Sequence, residues 1–195
     1  MTRARAAKIS WPESAFWTFS KDLYDRPGVE AACLALQDRH DLDVNLLLFA
    51  LWLADCGVVL DAPVYERAKT VTASWQAETT RSLRVIRRQL RGRMDAADPE
   101  DIAGKWPDQV AALRRRVLEL ELDCEHLAQL ALGRLGDELK PSRRANVKLA
   151  ADNLGGLLSF EEEDRGDLAN LVQQAFPHAP LSRIDAALDA LFSVT

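Results

Sequence analysis

The segment Val44-Asn45-Leu46-Leu47-Leu48-Phe49-Ala50-Leu51-Trp52-Leu53-Ala54 carries no charge and is apolar on nearly every side of a helix, which constrains the fold more than any other feature. An ordinary surface helix shows a single apolar stripe, whereas one that is apolar all round has to be covered on all sides. At this length it falls far short of the roughly 20 apolar residues that span a bilayer. The pattern predicts a buried central helix from Val44 to Cys56, with Asp43 as its cap, Gly57 as its stop and the other helices packed around it.

The rest of the chain supplies those helices. Only 9 Gly and 8 Pro punctuate 195 residues rich in Leu, Ala, Arg, Asp and Glu, so the fold class is all-α. Helices are predicted from Pro12 to Tyr24, from Pro27 to Arg39 and from Pro63 to Arg91, just before Gly92. A polar loop from Arg93 to Pro107 follows, then a helix from Asp108 to Leu132. In that last helix Val110, Leu113, Val117, Leu120, Cys124, Leu127 and Ala131 repeat at alternating three- and four-residue steps. This seam calls for the preceding long helix as its antiparallel partner. Shorter helices are predicted from Pro141 to Leu158, Arg165 to Phe176 and Pro180 to Phe192. The composition shift at Gly133 divides a helical bundle core, residues 1–135, from a C-terminal helical extension, residues 136–195.

Thirty acidic against 25 basic residues give a net charge of −5, which disfavours nucleic acid as a partner without excluding it. Three cysteines, Cys33, Cys56 and Cys124, form no CxxC pair and read as small hydrophobes in a reducing compartment. No secretory signal follows Arg3, Arg5 and Lys8, so a cytoplasmic protein with no membrane partner is expected. His40, His126 and His178 are scattered. With no GxSxG, HExxH, GxGxxG or Walker motif, no catalytic residue, metal ligand or cofactor is assigned. Asp38, Asp41 and Asp43 lack the DxxxD or DDxxD spacing of magnesium-diphosphate sites and read instead as groups that bond helix ends.

One charge pattern stands out. Arg81, Arg84, Arg87, Arg88, Arg91 and Arg93 follow one another with no acid between them, and Arg114, Arg115 and Arg116 lie on the next helix. A hairpin closing over the 93–107 loop brings residues 84–88 level with residues 113–117. Guanidinium groups bind carboxylate or phosphate through a planar fork, so Arg81, Arg84, Arg87, Arg88, Arg91, Arg114, Arg115 and Arg116 are the candidate partner-binding set. Against this stands neutralisation at home, by Glu119 four residues after Arg115, by Asp95, Asp98, Glu100 and Asp101 of the loop, or by the acidic run 161–164 docking on the arginines.

The run Phe16-Trp17-Thr18-Phe19-Ser20, then Tyr24 followed by Pro27-Gly28-Val29, then Cys33-Leu34-Ala35-Leu36-Gln37-Asp38, Asp43-Val44-Asn45-Leu46-Leu47-Leu48-Phe49 and Trp52-Leu53-Ala54 resembles a family of small, mostly proteobacterial proteins catalogued as a domain of unknown function. The resemblance covers roughly residues 14 to 130 and leaves the tail beyond about 136 unplaced. It implies a bacterial, cytoplasmic, helical protein and transfers no catalytic residue.

Two functions remain in view. One is a non-enzymatic interaction or regulatory protein that holds a protein or an acidic or phosphate-bearing partner through the arginine-rich hairpin. The other is an enzyme or small-molecule binder with a pocket among the first three helices, lined by Trp17, Tyr24, Gln37, Asp38, Asn45 and Trp52. Homo-oligomerisation through Leu118, Leu122 and Leu132, which lie off the main seam, is a further expectation.

Overall fold

A computed structural model describes residues 9–96, 98–139 and 145–193, and every regular element in them is helical. In chain order these are α1 (Ala15–Tyr24), α2 (Val29–His40), α3 (Val44–Asp55), α4 (Ala62–Trp75), a π-helical turn (Gln76–Thr80), α5 (Arg81–Ala96), α6 (Ile102–Lys105), α7 (Pro107–Glu138), α8 (Val147–Gly155), a 3₁₀ turn (Glu162–Asp164), α9 (Arg165–Ala175) and α10 (Leu181–Phe192).

Helix α3 is the hub. Asp43 caps it, its side chain accepting from the Asn45 N–H at 2.8 Å, and every residue from Asn45 to Ala54 is buried. Helices α1, α2, α7, α8 and α9 all pack on it, so the all-round apolar surface read from the sequence is met on all sides. Phe16, Phe49 and Trp52 form an aromatic cluster where α1 crosses α3. Leu154, Leu168, Leu171, Val172, Ile184 and Leu188 from α8–α10 belong to the same core as Leu47 and Leu51.

Several boundaries differ from those expected, each for a local reason. Ser14, not Pro12, starts α1, because its hydroxyl accepts from Trp17 N–H. Gly28 at φ 77° turns the chain into α2, a left-handed conformation that a Cβ would strain. The helix from α4 through α5 runs past Gly92 to Ala96, and α6 occupies part of the expected loop. Asn146 caps α8; Pro141, the expected start, lies outside the described residues.

Helix α7 continues through Gly133 and Gly136 instead of ending at Leu132. Those glycines mark close packing, not a stop: a Cβ on Gly136 would sit 2.1 Å from the Trp52 ring. The seam of α7 is also corrected. Val110, Val117, Glu121, Ala128, Gln129 and Leu132 face inward, whereas Leu113, Leu120 and Leu127 lie on the outside. Leu132, expected as a free apolar face, is fully buried.

The acidic run docks elsewhere than on the hairpin. Asp164 is wholly buried, bonded by Arg39 Nε at 2.9 Å and His40 Nε2 at 2.8 Å, and its side chain accepts from the Glu161 backbone N–H. It staples α9 to the end of α2, the nearest cations once α9 packs on α2.

Candidate functional site

Helix α5 has no buried residue and packs chiefly on α7, so α5 and the first half of α7 make a two-helix arm standing off the bundle. Leu83, Arg87, Leu90 and Met94 recur at helical spacing and are partly covered, forming the side of α5 that meets α7. The π-helical turn just before α5 adds a residue to the helix, which rotates the following face relative to α4.

The arginines divide into two sets. Arg84 donates from Nε to Glu121 Oε1 at 3.1 Å and from Nη2 to Glu125 Oε1 at 2.9 Å. Arg87 donates from Nε to Glu121 Oε2 at 2.5 Å and from Nη2 to Oε1 at 3.2 Å. Glu121 is 3% exposed, so both guanidinium groups are spent on holding the arm together. The hairpin is therefore shifted from the expected register: Arg84 is level with Glu121 and Glu125, not with residues 113–117.

Arg91 pairs with Asp95 and Arg93 with Asp101, both at the exposed surface. Arg81, Arg88, Arg115 and Arg116 are exposed and form no ion pair among the described residues, so Glu119 is not the partner of Arg115. Arg114 is partly covered, with its Nε buried and unpartnered. Helical periodicity places Arg81, Arg84, Arg88 and Arg91 on one face of α5. The Arg84 contacts turn that face toward the Glu121–Glu125 side of α7, and the exposed Val85 and Leu122 border it.

At the base of the arm a polar belt, only partly visible in the sequence, joins α1, α3, α5 and α7. Burial pushes the Glu125 carboxyl above its ordinary range, with Arg84 opposing and Glu121 and Asp43 adding to the rise. Burial likewise raises Asp43, against hydrogen bonds from Asn45. Glu121 goes the other way: burial would raise it, but the hydrogen bonds from Arg87 and Arg84 outweigh that and hold it low. Tyr24 is pushed up to about 12 by burial, then by the neighbouring Cys33, Glu30 and Glu125. Gln129 donates to Asn45 Oδ1 at 2.8 Å. Glu121 and Glu125 sit among leucines on what reads as a soluble helix surface, and only the true hairpin register shows them to be inward.

The six residues suggested for a pocket go to different places. Trp17 stacks on His126 with ring centres 3.6 Å apart, and Trp11 leans on the same imidazole. Trp52 is packed between Phe16, Phe49 and Gly136. Asn45 is tied to Gln129, Tyr24 and Gln37 are partly covered, and Asp38 is exposed. Two grooves in the described residues lie away from all six. One, of about 790 Å³, lies between Asp55, Asn146, Phe176 and Arg183; the other, of about 770 Å³, lies at the arm's tip between Gln89, Arg93 and Asp101.

Among the described residues no group of three His, Cys, Asp or Glu side chains is placed to hold a metal ion, and no helix is long and apolar enough to cross a membrane. A family model described as a protein of unknown function, DUF2390, matches residues 15–132. The chain belongs to the DUF2390 family. The part shared with the family runs from the start of α1 to the buried Leu132, so it holds α3, the polar belt and the whole arm, and stops short of Gly133, Gly136 and α8–α10. No curated protein and no solved structure matches the chain.

Proposed function

We propose that this DUF2390 member is a non-enzymatic, cytoplasmic interaction protein whose α5–α7 arm captures an acidic protein partner. The observation that carries this reading is that Glu121 and Glu125 pair with Arg84 and Arg87, while Arg81, Arg88 and Arg115 are left exposed and unpaired beside Val85 and Leu122. A face of guanidinium groups interleaved with exposed aliphatic side chains suits an acidic amphipathic segment, in which carboxylates meet the forks and apolar residues cover the leucine and valine. RNA is a poorer fit, since no aromatic platform accompanies these arginines for bases to stack on.

The test is affinity capture from native cytosol at low and high salt, with and without nuclease, comparing the natural chain with a variant carrying Arg81→Glu, Arg88→Glu and Arg115→Glu. These positions are exposed, so the variant is expected to fold. Nuclease-resistant capture that weakens with salt and is lost in the variant supports the reading. Capture unchanged by the substitutions at every ionic strength removes it.

A further inference from the structure

The opposite face of α7 carries a second feature, separate from the arginine face. Trp106, Leu113, Leu120 and Leu127 follow one another at heptad spacing from the start of α7, and all four stand open, 53%, 48%, 53% and 43% exposed. A seven-residue repeat drifts by only about 20° per heptad on a straight helix, so the three leucines form one nearly straight stripe, with Trp106 at the N-cap of the same helix. Trp75, whose Nε1 donates to the Cys124 carbonyl at 2.9 Å, and the exposed Val71 widen it from α4. Contiguous apolar surface of this kind on a folded chain marks a docking site.

The charges along the stripe identify what docks. Arg116 and Asp123 lie between its leucines, spaced almost evenly about Leu120, and neither forms an ion pair among the described residues. We infer that this face binds a second copy of the same chain, α7 against α7 in antiparallel register about a twofold axis through Leu120. In that register Leu120 meets its own counterpart and Leu113 meets Leu127 of the second copy. Arg116 comes level with Asp123, once on each side of the axis, and Trp106 reaches the exposed Arg134, a cation–π pairing. A parallel pairing would instead set Arg116 on Arg116 and Asp123 on Asp123, like charge on like charge. The stripe is thus its own complement in one orientation only.

Sedimentation velocity on the full chain over a range of concentrations tests this. A concentration-dependent dimer is expected. Leu120→Glu, which sets two carboxylates at the axis, is expected to raise the dissociation constant about tenfold or more, since like charges directly opposed repel. Arg116→Asp and Asp123→Arg are each expected to weaken the dimer, and the two together to restore it to within about threefold of the natural chain, as neighbouring sites couple. Leu113→Lys serves in place of Leu120→Glu if circular dichroism shows the latter unfolded. A chain monomeric at every concentration, or a dimer indifferent to Leu120→Glu and to both charge reversals, overturns the inference; the stripe then falls to a foreign partner or to none.

Discussion

Glu121 and Arg87 meet at 2.5 Å inside the seam of the arm, and the same carboxylate takes the Arg84 Nε on its other oxygen. One acid therefore helps fix the register of two helices whose contact leaves every α5 residue at least partly open. Removing a partner from such a group costs more than the net worth of the pair, since the remaining charges stay desolvated without compensation.

Glu121→Gln is accordingly expected to destabilise the protein by about 2 kcal/mol, a figure reduced for the partial exposure of both arginines. Urea titration followed by circular dichroism measures it. Replacing the whole set with uncharged groups, Glu121→Leu and Glu125→Gln together with Arg84→Met and Arg87→Met, is expected to recover most of the loss. If this quadruple variant were as unstable as Glu121→Gln, specific bonding and not desolvation would dominate at this position.

The belt at the base of the arm has a pH signature with two opposed parts. The Glu121 carboxyl is held low in the fold, so it contributes stability above the ordinary carboxylate range that is lost as pH falls through its lowered value. Glu125 and Asp43 are raised by burial, so they subtract stability as pH climbs from that range through their raised values. Glu125→Gln removes one of the subtracting groups. It is expected to raise stability at pH 7 by up to about 1 kcal/mol and to shrink the fall above the ordinary carboxylate range, leaving the acid limb set by Glu121 in place. Urea midpoints over a series of pH values settle the sign.

Gly136 and Gly92 both lie inside helices, and they separate two uses of glycine. A Cβ at Gly136 would strike the Trp52 ring, whereas at Gly92 nothing lies within 4 Å. Gly136→Ala is expected to cost about 1 to 3 kcal/mol through overpacking in the aromatic cluster. Gly92→Ala is expected to stabilise by about 0.5 to 1 kcal/mol, because a helix interior favours Ala over the freer Gly. Thermal melts of the two variants should move in opposite directions.

The buried nature of α3 was legible because composition alone decides it: a run with no polar face has to be enclosed. The existence of the hairpin was legible too, since the heptad-like repeat required a partner. Its register was not. The turn holds α6, and the π-helical turn ahead of α5 rotates its face; neither leaves a periodic mark, so the sequence pattern puts Leu113, Leu120 and Leu127 inward and Glu121 outward. The 113–120–127 column and the 117–121–128 column lie side by side on one helix, and hydrophobicity favours the first; only the Arg84 and Arg87 contacts select the second. Gly133 reads as a boundary for the same reason, because a sequence does not say what a missing side chain makes room for.

The region matched by the family ends at residue 132, yet α8 and α9 complete the covering of α3. Asn153, 1% exposed, accepts from the Leu60 N–H at 2.8 Å and donates to the carbonyls of Ala50 and Val58 at 3.1 and 3.0 Å, clamping α8 to the end of α3 and to the segment leading into α4. Asn153→Ala leaves the Leu60 N–H without its acceptor, removes the two bonds to carbonyls and is expected to cost about 3 kcal/mol. A fragment ending at 132 loses that clamp together with Leu154, Leu168, Leu171 and Val172, which belong to the same core as Leu47 and Leu51. It is expected to keep much of its helicity while losing fixed packing, with weak near-ultraviolet dichroism and strong binding of a hydrophobic dye. A fragment with native-like near-ultraviolet dichroism and cooperative unfolding would show instead that α8–α10 merely cover a bundle already complete without them.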